Sequence, residues 1–431
     1  DDDDESRPGL VARVTEGEVT VSRVVTDPIV APHSRQGHSR HAWSGQFLVR
    51  GEGPHQFHAH LAGKAQVKIG DRVVLDAASD PVGWASGPVV ELAFGEFPLE
   101  ITADIEHPTG QLKLYWSSPA FPLEPLPYHA LYHAADDAPL RMVEQGRDFV
   151  DAWRCRTCHS PESKDAPLPG PSLKSFGTGS DVGWLRDRLT RLEPAPHGRM
   201  PAFGFSALDA DAILAYLAQN SKPPEITDGD VKRTDKEVTA GAQLIKSVGC
   251  LGCHQWQELG KNPLFGGGPL DDVGKHRSAG WLLAKVSRPH ELNSGSRMPT
   301  LPLSDAERRQ IVAALTKEGP AKIGLVAKSL KVTDELALRG KQLIREARCG
   351  ACHELPGDIA PFEMAKPQAL TAFDLERSCV GGTVDAQRRQ PRFPTTATDA
   401  IAAYLESPQS RSTSTTPYQH GERLLRTKGC L

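Results

Sequence analysis

Cysteine and histidine recur together three times in this chain, and that recurrence restricts what the chain can fold into more than any other feature. The segments are Cys155-Arg-Thr-Cys158-His159, Cys250-Leu-Gly-Cys253-His254 and Cys349-Gly-Ala-Cys352-His353, and they use six of the eight cysteines. Two cysteines three residues apart face the same side of a helical turn. Both thiols can there form thioethers with the two vinyl groups of one haem, and the histidine that follows turns its imidazole to the iron as proximal ligand. Structural zinc and a thioredoxin-like dithiol are the competing readings. Zinc wants four ligands in paired spacings, and each segment offers three. A redox dithiol requires no histidine and gives no reason for three copies. Haem c is therefore the expected cofactor, held covalently three times within the chain.

The text around the motif repeats with it. Gly146, Gly241 and Gly340 each stand nine residues before the first cysteine, followed at a fixed offset by Phe149-Val150, Leu244-Ile245 and Leu343-Ile344. This predicts a helix whose apolar stripe runs into the motif, with the glycine admitting a close neighbour. A fourth copy starts at Gly421, continues through Leu424-Leu425 and reaches Cys430 just before the last residue. It reads as a fourth haem motif cut off after its first cysteine, in a piece of a longer protein. Each complete copy is expected to close with an amphipathic helix, at 208–217, 304–315 and 398–405, with Ser206, Ser304 and Thr396 as caps. Proline-rich or polar joints at 222–235, 319–329 and 407–417 part the copies. The expected domains are 1–135, 136–222, 232–318 and 330–408, with the first helix of a truncated fourth haem unit at 417–431.

An electron-transfer haem usually takes a sixth ligand, often methionine. Of four methionines, two stand in matching contexts, Arg199-Met200-Pro201 and Arg297-Met298-Pro299, each downstream of a Gly-Trp-Leu. A methionine is more often core filler than ligand, but twin placement inside the repeats makes Met200 and Met298 the expected sixth ligands of the first two haems. In the third copy the matching position is Arg388, and Met364 lies too soon after His353 to cross a haem. The iron at His353 is then open or takes an unusual ligand. Cys379 is the candidate, its alternative role being a small buried hydrophobe.

The first 135 residues contain no cysteine. Short alternating segments at 46–50, 56–61, 65–69, 72–75, 89–94, 99–104 and 112–116 predict an antiparallel β-sandwich, with a hairpin about Gly70-Asp71. His55, His58 and His60 cluster there, either as surface strand histidines or as a metal site. His129 and His133 near the join are not expected to be ligands.

The Gly-to-Cys helix, the Cys-x-x-Cys-His segments, Arg-Met-Pro and the closing Ala215-Tyr216-Leu217 and Ala403-Tyr404-Leu405 together resemble the bacterial cytochrome c domain family, over roughly 137–408 and the stub. The resemblance implies three all-α class I-like cytochrome c domains and the start of a fourth. It gives His159, His254 and His353 as proximal ligands and Met200 and Met298 as distal ones, and fails at the third distal position. Val67-Lys-Ile-Gly-Asp-Arg-Val-Val-Leu-Asp76, Val90-Glu-Leu-Ala-Phe-Gly95 and Leu112-Lys-Leu-Tyr-Trp116 resemble a PA14-type β-sandwich, a fold that often binds carbohydrate. The whole arrangement is similar to large planctomycete-type multidomain cytochromes.

The expected function is electron transfer between redox partner proteins, a dehydrogenase or a terminal acceptor, by a periplasmic or extracellular multihaem cytochrome. Two alternatives stand beside it: a haem enzyme reacting at the third, methionine-free haem, and a cytochrome docked to glycan or a protein through the β-sandwich. An electron carrier is favoured over a catalyst. A net charge of −4 gives no reason to expect nucleic acid, and no window approaches the 18 apolar residues of a membrane span.

Overall fold

The computed structural model describes residues 6–32, 37–134, 138–159, 170–174, 176, 180–195, 198–222, 226, 231–260, 264–293, 295–319, 330, 332–359, 375, 378–381, 391–407 and 424–425. Gly421, Cys430, Met364 and Arg388 lie outside the described residues, so the fourth copy is represented only by helical Leu424 and Leu425. The chain divides into two units, residues 1–147 with 399–422, and residues 148–398 with 423–431.

Ten strands come first: β1 Arg7–Pro8, β2 Leu10–Glu16, β3 Val19–Val25, β4 Gly37–Val49, β5 Gly53–Ile69, β6 Arg72–Leu92, β7 Gly95–His107, β8 Gln111–Ser118, β9 Phe121–Pro125 and β10 Leu131–His133. The helices α1 Ala138–Ala152, α2 Cys155–His159, α3 Val182–Thr190, α4 Ala207–Asn220 and α5 Asp235–Ser247 follow. Three short strands come next, β11 His254–Trp256, β12 Leu259–Gly260 and β13 Gly268–Pro269. After them lie α6 Val273–His276, α7 Ala279–Ser287, α8 Pro289–Leu292, α9 Asp305–Leu315, α10 Asp334–Glu346 and α11 Thr398–Glu406.

In the first unit the strands pair in the order β1-β10-β4-β7-β5-β8-β9, with β2 on β3 and β4 and with β6 on β5. Every pairing is antiparallel, as expected. The ten strands are hydrogen-bonded into one continuous antiparallel sheet. The reason lies in β5. Residues 56–62 pair with β8 and residues 64–69 pair with β7, so the strand changes partner at Gly63. Gly63 has φ of +132°, and a Cβ there would come within 2.5 Å of the Asp104 carbonyl oxygen. Glycine therefore permits the bend instead of ending the strand. The expected segments 56–61 and 65–69 are thus one strand, and 72–75 and most of 89–94 both fall in β6. The hairpin at Gly70-Asp71 forms with Ile69 opposite Arg72. Phe57, Ala59, Leu61, Ala65, Val67 and Ile69 alternate inward and are buried with Phe47 and Trp116, whose rings meet edge-on at 5.3 Å.

The expectation of three successive all-α cytochrome c domains is overturned. His254 opens a strand, and β11 pairs antiparallel with β12 and parallel with β13. The residues before it, Cys250–Gly252, form a 3-10 turn, as do Cys349–Ala351, so only the first motif lies in an α-helix. The glycine-notched helices also pair out of sequence order. Gly241 of α5 lies against the Gln310 carbonyl of α9, within one copy. Gly340 of α10 instead lies against the Ala212 carbonyl and the Tyr216 side chain of α4, which closes the first copy. Gly146 of α1 lies against the Ala400 carbonyl and Tyr404 of α11, which closes the third. Copies one and three thus exchange partner helices, while copy two pairs within itself. Ser206 caps α4, and Ser304 caps α9 through a capping box with Glu307, as expected. Thr396 sits inside a 3-10 turn instead of capping α11.

At each notch a Cβ would overlap a carbonyl oxygen. Replacing Gly340 by Val forces α10 and α4 apart, and overpacking of this kind costs about 1–3 kcal/mol. Gly51→Ala, with nothing near the added carbon, stays within about 0.5 kcal/mol of the parent. Denaturant unfolding followed by far-UV circular dichroism gives both values.

Candidate functional site

The second motif defines the arrangement, since all its parts come from one copy. The left-handed Gly249, φ +95°, ends α5 and turns the chain into Cys250. A strap of residues 267–270 then crosses the histidine that follows. The Gly267 N–H donates to the Cys253 carbonyl at 2.7 Å and the Leu270 N–H to the Gln255 carbonyl at 2.9 Å. His254 Nδ1 lies 2.8 Å from the Gly268 carbonyl oxygen. A carbonyl can only accept, so Nδ1 carries the proton and Nε2 keeps its lone pair, the tautomer of a metal-ligating histidine with an orienting partner. Burial lowers the pKa of this ring, which keeps it neutral. A Cβ on Gly267 would overlap the imidazole, so glycine is what lets the strap lie against it. Arg297, the residue before Met298, donates to the carbonyls of Phe265 and Gly266 and holds the approach to the strap. Met298 packs on a core of Ile245, Trp256, Leu282, Val286 and Ile311, to which Cys250 is also fitted.

The third motif has the same construction with parts from a different copy. Its strap is 170–173. The Gly170 N–H donates to the Cys352 carbonyl and the Leu173 N–H to the Glu354 carbonyl, both at 2.8 Å. His353 Nδ1 lies 2.8 Å from the Pro171 carbonyl oxygen. A Cβ on Gly170 would approach the imidazole to 2.7 Å. Met200, Cys349 and Leu173 pack on one core with Leu343, Ile344, Phe205, Ile213 and Leu217. The Tyr216 hydroxyl donates to the Pro356 carbonyl at 3.1 Å and ties α4 to the chain beyond the motif. Burial pushes the Cys349 thiol up to about 12 and raises those of Cys250 and Cys352. A dithiol nucleophile needs the opposite shift.

At the first motif, Arg154 takes the left-handed conformation before Cys155, as Arg348 does before Cys349, with φ of +58° and +57°. All three motifs are thus entered through a left-handed residue, at a strain cost where glycine is absent. Trp153 stacks on Phe393 and on Phe149, each at 4.8 Å. Burial raises the pKa of the Cys155 thiol, and the neighbouring Cys379 thiol raises it further. The Cys379 carbonyl accepts from the Phe393 N–H at 2.8 Å, as the Leu189 carbonyl accepts from the Phe205 N–H at 3.1 Å. Cys379 therefore occupies, beside motif one, the place that Leu189 of α3 holds in the other core.

Copies one and two meet through their matching tryptophans. The Arg277 guanidinium lies 5.0 Å over Trp184 and 4.4 Å over Trp281, and His276 stacks on Trp184 at 5.4 Å. The strand histidines are separately engaged: His55 Nδ1 with the Gly53 carbonyl, His58 with Ser86 and Ser117, and His60 with Gln111. His133 is buried with Nδ1 on the Gly9 carbonyl, and His129 lies edge-on to Tyr128. Among the described residues, no three His, Cys, Asp or Glu side chains converge as an ion site.

Sequence reasoning missed the straps. Their signal was present, as Gly170-Pro171-Ser-Leu173 and Gly267-Gly268-Pro269-Leu270 after the first two motifs. Nothing in the text marks Arg154 or Arg348 as left-handed.

No family model matches the chain, and no curated protein matches it. Similar solved structures include PA14 domains. The PA14 sugar-binding domain from an RTX adhesin is 15% identical, with a TM-score of 0.21, over 22% of this chain and 55% of its own. An anti-sigma factor domain-containing protein from Clostridium clariflavum is 19% identical, with a TM-score of 0.26, over 30% of this chain and 48% of its own. The PA14 domain of the antifreeze protein MpAFP is 10% identical, with a TM-score of 0.24, over 31% of this chain and 94% of its own. The chain thus spans about half the length of the first two.

Replacing Gly170 by Ala drives a Cβ into the ring of His353, not that of His159. The expected outcome is loss of the low-field Nδ1–H resonance of His353 in 15N-histidine NMR, with that of His254 unchanged. Gly267→Ala reverses the pattern.

Proposed function

We propose that each Cys-x-x-Cys-His segment holds haem c and that the chain transfers electrons one at a time between redox partner proteins outside the cytoplasm. The observation that carries this reading is the shared construction at His254 and His353. In each, a half-buried imidazole, its pKa lowered by desolvation, has Nδ1 committed to a strap carbonyl. Each also has a first cysteine packed on the same apolar core as a methionine.

The residues present fit the group in two further respects. Trp153 Nε1 is buried beside motif one with no hydrogen-bond partner among the described residues. Desolvation first, then the Arg297 and Arg154 charges, bring the pKa of Arg199 down to about 10. A buried donor and a buried cation of this kind call for anionic oxygens, which haem propionates carry. Cys155 with Cys158, Cys250 with Cys253 and Cys349 with Cys352 would hold the porphyrins. His159, His254 and His353 would be proximal ligands, and Met200 and Met298 sixth ligands. When bound, the group supplies one-electron exchange at iron. The chain fixes the His254 and His353 imidazoles through straps and packs Cys250, Cys349, Met200 and Met298 against apolar side chains.

Expressed with a c-type maturation system, the chain carries three haems, counted by pyridine haemochrome and intact mass. Cys250→Ala with Cys253→Ala lowers the count to two. A fully matured preparation without covalent haem overturns the reading.

The sheet supports a second role. Trp84 is 57% exposed, with the rings of His60 and Tyr115 at 5.0 and 4.9 Å. An exposed aromatic platform of this kind suits the apolar face of a sugar ring, so we propose glycan docking there. Retention of the whole chain on a glycan array is expected to fall at least tenfold in Trp84→Ala; equal retention removes this role.

A further inference from the structure

We infer that the third motif and Met200 form one haem site built across copies one and three, and that the haem lacking a methionine is the one at His159. The inference rests on the haem reading above and reassigns the ligands that sequence order implies. Three independent features of one site come from copy one. The strap on His353 is 170–173, bonded to Cys352 and Glu354 on either side of the histidine. The helix received by Gly340 is α4. The core that holds Cys349, Leu343 and Ile344 contains Met200, Leu189 and Phe205. Copy two provides the control within the same molecule, because its strap, notch, core and Met298 repeat these relations feature by feature.

The complementary half follows from the same exchange. Motif one stands beside the copy-three segment, with Trp153 on Phe393 and Cys155 beside Cys379. Between Cys379 and Phe393 the sequence holds no methionine. Met364 offers no substitute. It follows His353 at the distance at which Gly170 follows His159, and Gly170 belongs to a strap on the proximal side. Met142 is exposed on α1. The first haem in the sequence, not the third, is then the one whose iron can take an added ligand.

Proton NMR of the reduced protein tests this, since a thioether methyl bound to low-spin ferrous haem resonates far upfield, one signal for each methionine-ligated haem. Two such signals are expected in the full chain. Both persist in Cys155→Ala/Cys158→Ala, which lacks the first haem, and one is lost in Cys349→Ala/Cys352→Ala. Met200→Ala in the first of these backgrounds removes one signal. Carbon monoxide is expected to perturb one haem of the full chain and none after the Cys155→Ala/Cys158→Ala change. Loss of an upfield signal with the first haem overturns the exchange, as does carbon monoxide binding that survives that loss. Haem counts on the same samples keep the outcomes apart: absent haem condemns the functional reading, whereas full haem with the wrong signals condemns only the ligand exchange.

Discussion

The close approach of a glycine to a facing carbonyl oxygen governs the helical part of this protein. Gly146, Gly241 and Gly340 each accept the backbone of a closing helix where a methyl group would already collide. That contact sets which helix covers the apolar pair following the glycine, and thereby which core the next cysteine enters. Strap and methionine follow from the closing segment so chosen. Where Gly340 meets α4, the loop 170–173 and Met200 come with it.

Because every copy carries the same notch and a similar closing helix, the local code does not specify a partner. The choice falls to residues that differ between copies. Several of those residues hold the observed pairing. Arg339 of α10 makes a charge-assisted bond to Asp209 of α4, and Gln219 donates to Asp334 at 2.9 Å. Tyr216 reaches the Pro356 carbonyl. None of these pairs recurs in the α5–α9 contact, which is the mark of a specificity device and not of the repeat itself.

This separates what the sequence made legible from what it did not. The motifs, their glycine-notched helices and the caps at Ser206 and Ser304 are local patterns, and local patterns were readable. So was the alternation that buries Phe57, Leu61, Val67 and Ile69. In the sheet, the segments 56–61 and 65–69 are one strand bent at Gly63, and β6 pairs with it on both sides of the bend. The all-α expectation failed because β11 at His254 pairs with two-residue strands at 259–260 and 268–269, and no periodicity announces a two-residue strand. The partner of each motif was illegible because repetition erases the difference between near and far copies.

Electrostatics around the motifs gives the exchange a consequence beyond packing. Arg199, Arg277 and Arg297 are all desolvated, and Arg277 is brought down to about 10 chiefly by burial. Arg154, at the entrance to motif one, contributes to lowering both Arg199 and the third motif's His353. Exchange therefore sets cations from copy one against the third motif. With haem in place, buried positive charge favours the form of the iron that carries one more electron, so it raises the reduction potential. A methionine acts in the same direction. The His353 site combines both influences, whereas the His159 site takes its covering segment from copy three and has no methionine there. Two sites with one motif are thus given different environments by the way the copies pair, and on the proposed haem reading that difference would set their potentials apart.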